Sequence, residues 1–133
     1  MGMSIKDRIN YFEKCVKYCI KYFNMEDCEL IIEESDDVTV RGRCNYWTIE
    51  QMPMFEPRIY SIQYSKEWIK TATKDDIKKT AMHEVLEAWL SKLREYGRNK
   101  TIIISEREID SEVHKIICFF QNKLTDTVFE SLN

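Results

Sequence analysis

From Ser4 to Asn24, apolar residues recur every three or four positions: Ile5, Ile9, Phe12, Val16, Cys19, Ile20 and Phe23. That period predicts an amphipathic helix. Ser4 can cap its start, Asp7 sits in the first turn, and Asn24 fits its end. After residue 28 the period changes to two. Residues 28–34, CELIIEE, read as a short strand, and Ser35-Asp36-Asp37 is turn chemistry. Residues 38–44 follow, with Val38, Val40 and Gly42 alternating against Thr39, Arg41 and Arg43. The two segments predict a hairpin. Residues 45–50 extend the second strand or leave it as a loop. Both prolines fall within 51–57, which predicts an irregular connection or a sheet edge. Its Met52, Met54 and Phe55 would cover the core or line a cleft. Residues 58–64, RIYSIQY, are the clearest strand: Ile59, Ser61 and Gln63 face one way, Tyr60, Ile62 and Tyr64 the other.

Helical periodicity then returns. Trp68 and Ile69 pack ahead of a cap, and Thr73 with Asp76 three residues on is a variant capping box. The helix it opens is predicted to reach Tyr96, with Gly97 just past its end. At 100° per residue, Ile77, Ala81, Met82, Val85, Leu86, Ala88, Trp89 and Leu93 fill one broad arc. Thr80, His83, Glu87, Ser91 and Arg94 form the opposite strip, with Glu84 at its margin. A basic loop at 98–100 leads to an apolar, β-branched stretch at 101–104, a short strand or an extended cover. Ser105 to Glu108 is a full capping box for the last helix, which is predicted to run to about Phe120 or beyond. Ile109, Val113, Ile116, Ile117, Phe120 and Leu124 would be its buried stripe, and the tail would continue through Phe129 before fraying. The order predicts one α+β domain over residues 1–133. Its sheet would be small, antiparallel or mixed, with about three strands against the N-terminal helix and two C-terminal helices.

Composition narrows the function classes. The chain has 133 residues, 44% hydrophobic and 12% aromatic, with only three Gly and two Pro. That suits a single packed domain. Net charge is −3 and no stretch is densely basic, which argues against a nucleic-acid partner and leaves a protein or peptide. No apolar run approaches the roughly 20 residues of a membrane span, and the first residues lack a signal peptide's apolar stretch. Cys15, Cys19, Cys28, Cys44 and Cys118 are odd in number and form no C-x-x-C. Buried thiols in a reduced, cytoplasmic protein are the expectation.

The candidate chemistry lies on the second predicted helix. His83 and Glu87 are one turn apart on one face and can grip one metal ion, with Glu84 offset beside them as a base. The plain alternative is a solvated polar strip. Against it, neither Glu84 nor Glu87 has a Lys or Arg three or four residues away, in a chain with 20 of them. On the last predicted helix, Asp110, His114 and Gln121 form a row beside the apolar stripe. Two antiparallel helices could bring His114 over His83 and Glu87, with Asp110 assisting or orienting His114. Two imidazoles and a carboxylate are an accepted zinc set, leaving a fourth position for water. Such an ion would lower the water's pKa towards about 7, and Glu84 could take its proton.

The segments KKTAMHEVLEAWLSKL and EREIDSEVHKII resemble the small zincin-like proteins encoded by bacteriophages and mobile elements. In that family, a strand and a capped helix carry H-E-x-x-H and a later helix supplies an acidic residue or histidine. The resemblance implies a minimal zincin-like fold over about residues 28–123, with His83 and Glu84 matching the motif. It also implies a metal-dependent peptide-bond hydrolase in the cytoplasm, the host's if phage-encoded. The family's second histidine is Glu87 here. Glu87 suits Zn²⁺ and also harder ions such as Mn²⁺ or Mg²⁺. Alternatively, a fold that kept its shape and lost its chemistry would be a binding module, such as a phage-encoded inhibitor or adaptor of a host protein.

Overall fold

A computed structural model describes residues 2–25, 29–48, 57–91, 106–130 and 132. The predictions for 49–56 and 92–105 lie outside them, including the loop methionines, Leu93, Arg94, Gly97 and the Ser105 cap. Among the described residues the architecture is α+β, with three helices and a mixed three-stranded sheet in a single domain.

Helix α1 spans Ile5–Tyr22. Ser4 and Asp7 form a reciprocal capping box, which satisfies two amide donors that the first turn would leave bare. Phe12, Cys15, Val16, Cys19 and Ile20 are buried. Ile5, placed in the stripe by its spacing, is half exposed because it sits in the first turn, at the edge of the packed face.

Strands β1 (Glu29–Ser35), β2 (Gly42–Thr48) and β3 (Pro57–Ser65) are ordered β1-β3-β2. The expected β1–β2 hairpin does not form. β3 lies between them, parallel to β1 and antiparallel to β2. The turn after β1 carries the chain across the sheet instead of back along its edge. Asp37 pins that crossing by accepting from the Thr39 amide at 2.9 Å, the Thr39 hydroxyl at 2.6 Å and the Arg43 guanidinium. These bonds, those from Thr39 first, hold the Asp37 carboxyl below the usual range. Val38 and Val40 fall in this crossing, outside β2. The central strand is the one whose pattern is clearest: Tyr60, Ile62 and Tyr64 are buried toward the helices. On the other face, Glu33 accepts from Ser61 Oγ at 3.0 Å and Gln63 Nε2 at 2.9 Å.

A single 3₁₀ turn, Trp68–Lys70, leads into helix α2, Lys74–Trp89. Thr73 and Asp76 make the expected capping box. The helix is capped at Leu90, which donates its amide to the Leu86 carbonyl, and the remainder of the predicted span to Tyr96 lies outside the described residues. Trp89, predicted for the buried arc, is 45% exposed and stacks on Phe23 at the end of α1, with centroids 5.1 Å apart. Helix α3 spans Glu106–Val128. Val113 and Ile117 are buried, but Ile116 is 38% exposed, one step round from the packed face. The helix continues into the tail as its pattern predicts: Val128 and Phe129 are buried, and Phe129 packs on Tyr18 at 5.8 Å.

The core joins one face of the sheet to α1, α2 and α3. Phe12 meets Tyr64 edge to face at 5.4 Å, in one buried cluster with Cys15, Val16, Ile62, Ile77, Met82 and Leu86. Arg8 ties α1 to the entry of α2, donating to the Ala72 carbonyl at 2.9 Å. Among the described residues, no helix is long and apolar enough to cross a membrane.

Candidate metal centre

Helix α2 is packed on several sides, against α1, the sheet and α3. Its apolar arc enters the core. Its polar strip, which periodicity alone assigns to water, meets β2 and α3. Thr80 and Glu84 are therefore buried, Glu84 to 6% exposure. Gly42 makes the close approach to β2 possible. A Cβ there would stand 3.0 Å from Gln63 O, Glu84 Cγ and Thr80 Cγ2, tighter than the neighbours allow without shifting.

Across the α2–α3 seam, His83, Glu87 and His114 come together, and a ligand atom from each lies within 4.8 Å of the other two. His83 Nε2 is 3.6 Å from Glu87 Oε1. The two imidazole rings are edge to face with centroids 5.4 Å apart. Ligands about 2.0–2.2 Å from a tetrahedral ion stand about 3.3–3.6 Å apart. The His83–Glu87 pair already has that spacing, and closing the rest from at most 4.8 Å needs no more than about 1.5 Å of side-chain adjustment. The donor set N, O, N fits zinc, and its carboxylate also accepts harder ions.

The other ring nitrogen of His83 is spoken for. Nδ1 lies 2.9 Å from Gln121 Oε1 on α3. An amide oxygen only accepts, so Nδ1–H is the donor; Nε2 faces Glu87, donating to it when the ring is protonated and offering a lone pair to an ion when it is not. Burial draws the His83 pKa down. The hydrogen bonds to Glu87 and Gln121, with the charges of Glu84 and Glu87, outweigh that and leave it above the ordinary 6.5. The surroundings thus favour positive charge at this ring.

The remaining candidates fall around the trio. Glu84 lines a cleft of about 260 Å³ with His83, Thr80, Gln121, Gly42, Val40 and Arg41. Asp110, one turn before His114 on α3, is half-buried and stands outside the group of three. His114 is exposed, and its Nε2 lies 3.4 Å from Cys118 Sγ. Gln121 had a sequence signal, two turns after His114 on the same face, but no motif marks an outer partner of this kind. Arg41 and Gly42 had none, because strand pairing brings them to α2. No protein-family model, curated protein or solved structure matches the chain.

Proposed function

We propose that this chain is a zincin-like metal-binding protein that hydrolyses peptide bonds. His83, Glu87 and His114 would hold one divalent ion, Zn²⁺ first and Mn²⁺ as the alternative. The observation that carries the reading is the meeting of these three side chains from two helices, their ligand atoms within 4.8 Å of one another. Chance surface histidines are seldom oriented from behind. Here Gln121 does for His83 what outer partners do for zinc-bound imidazoles.

A bound ion supplies Lewis acidity to polarise a carbonyl. The rest is the work of the chain. Gln121 holds the His83 tautomer. Glu84, in the wall of the adjoining cleft, takes a proton from the attacking water and returns it to the departing amine. His114, the exposed member of the trio, marks the side from which a peptide enters.

Elemental analysis of protein purified without added metal, followed by zinc titration, tests the ion. One equivalent per chain is expected in the native protein, and a sharp loss of affinity in His83→Ala and His114→Ala. With the ion in place, Glu84→Gln is expected to retain it and lose peptide hydrolysis. Unchanged activity removes Glu84 from the mechanism. Failure to take up metal under any loading condition overturns the metal centre, and a binding module then replaces the enzyme.

A further inference from the structure

The cleft beside the trio carries a cation at its exposed edge. Arg41 stands there, the fixed cation among the described lining residues. Its backbone is clamped: the Arg41 carbonyl accepts from the Ser65 amide at 2.7 Å, and Gly42 is pressed onto α2. The Asp37 turn holds the approach from the other side. The guanidinium, by contrast, is 65% exposed and meets Asp76 at only 3.7 Å. A pair that exposed and that long holds little energy. The result is a guanidinium on a hydrogen-bonded backbone, held by one weak, exposed ion pair that a ligand carboxylate can replace. Val40 gives the same mouth an apolar wall.

We propose that this cleft binds a short acyl ligand ending in a carboxylate, which Arg41 grips while the far end reaches the His83–Glu87–His114 ion. The inference rests on the metal reading above. A guanidinium offers paired donors that match a carboxylate, a geometry neither Lys nor a neutral donor reproduces. The cavity, about 260 Å³, is below the roughly 300 Å³ at which drug-sized sites begin, so the ligand is about the size of one or two amino-acid residues. Glu84 in the wall repels a carboxylate placed deep in the cleft, which leaves the mouth, at Arg41, as its seat. For the proposed hydrolase, such a ligand is the free carboxyl end of a peptide.

The test uses two probes of equal length on zinc-loaded protein: succinic acid monohydroxamate and the matching uncharged amide hydroxamate. The hydroxamate end chelates the ion in both, so only the far end differs. The acid is expected to bind about tenfold more tightly, a preference that shrinks as salt rises. Arg41→Ala is expected to erase the ratio, and Arg41→Lys to restore part of it. Equal binding of the two probes by the native protein, or an intact ratio in Arg41→Ala, overturns the proposal while leaving the metal centre standing. Zinc uptake is measured first on the same preparation. Its absence overturns the metal centre and this proposal together.

Discussion

Helix α2 has two seams of opposite character. One enters the core, where Ile77, Ala81, Met82, Val85 and Leu86 join Phe12, Cys15, Val16 and Cys19 in a cluster closed to solvent. The other faces β2 and α3, where Thr80, His83, Glu84 and Glu87 meet Gly42, His114 and Gln121. The first seam asks only for apolar volume of the right size. The second buries groups that cost free energy unless each finds a partner of the right kind. A helix could cover β2 with alanine and leucine more cheaply. Glu84, a carboxylate at 6% exposure on the seam that also holds His83 and Glu87, is a group that packing alone does not call for, whereas every side chain of the first seam is explained by packing.

The sharpest way to break that division is to exchange the roles. Phe12→Ala removes a fully buried ring that packs on Tyr64. It is expected to cost about 3–5 kcal/mol in urea unfolding, with zinc affinity per folded molecule unchanged. The second seam should answer oppositely. Zinc at a hundred times its dissociation constant should stabilise the native protein by about 2.7 kcal/mol, read as a rise in melting temperature, and His114→Ala should abolish the rise. A metal-dependent rise surviving in His114→Ala would mean that the ion sits elsewhere.

Alkaline pH addresses the apolar seam alone. Burial pushes the Cys15 thiol up to about 11. Burial, then the neighbouring Cys15, raises Cys19 further, and burial lifts the Tyr11 hydroxyl to about 12. In the unfolded chain a thiol ionises near 9, so the folded state there binds more protons than the unfolded one. Stability is complete below pH 9 and is lost as pH climbs through 9 to 11 for Cys15. The loss is about 1.4 kcal/mol per thiol for each pH unit in that window. Urea midpoints at pH 8 and pH 10 check it. The double variant Cys15→Ala/Cys19→Ala should flatten the slope, and a slope that persists assigns the alkaline loss to other groups.

How much of this was legible before folding follows the same division. The α1 stripe, the Ser4 cap and the Thr73 capping box could be read directly, because a helix writes its buried face and its start into a few adjacent positions. So could β3, whose alternation survives because one face packs on helices. The β1–β2 hairpin that the pattern suggests does not form, because turn chemistry at Ser35-Asp36-Asp37 says that the chain bends, not which strand it bends toward. Long-range pairing put β3 between them. The α2 polar strip resembled a wetted surface for the same reason: its cover comes from Gly42 and from α3, both far off in sequence. His83, Glu87 and His114 could be named as residue types able to share an ion, but Gln121 and Arg41 acquire their places only through packing.

The smallest effect is the most diagnostic. Gln121→Leu keeps the volume of the side chain and removes the oxygen that accepts from His83 Nδ1 at 2.9 Å. If the second seam were structural, leaving that donor unpaired would destabilise the protein and do nothing else. If the seam is a metal centre, the ring remains packed between α2 and α3 and loses its fixed tautomer. Nδ1 then competes with Nε2 for the proton, and the lone pair facing Glu87 is present only part of the time. Zinc affinity per folded molecule is expected to fall about tenfold, some 1.4 kcal/mol, in addition to the roughly 1 kcal/mol of metal-free stability that the lost hydrogen bond costs. Gln121→Glu separates the two outcomes further. A carboxylate accepts the same hydrogen bond more strongly and adds negative charge behind the ring, so it should restore zinc binding to the native level or above. Loss of stability without loss of affinity in Gln121→Leu would place His83 among ordinary satisfied histidines, and the contrast between the two faces of α2 would then be one of packing alone.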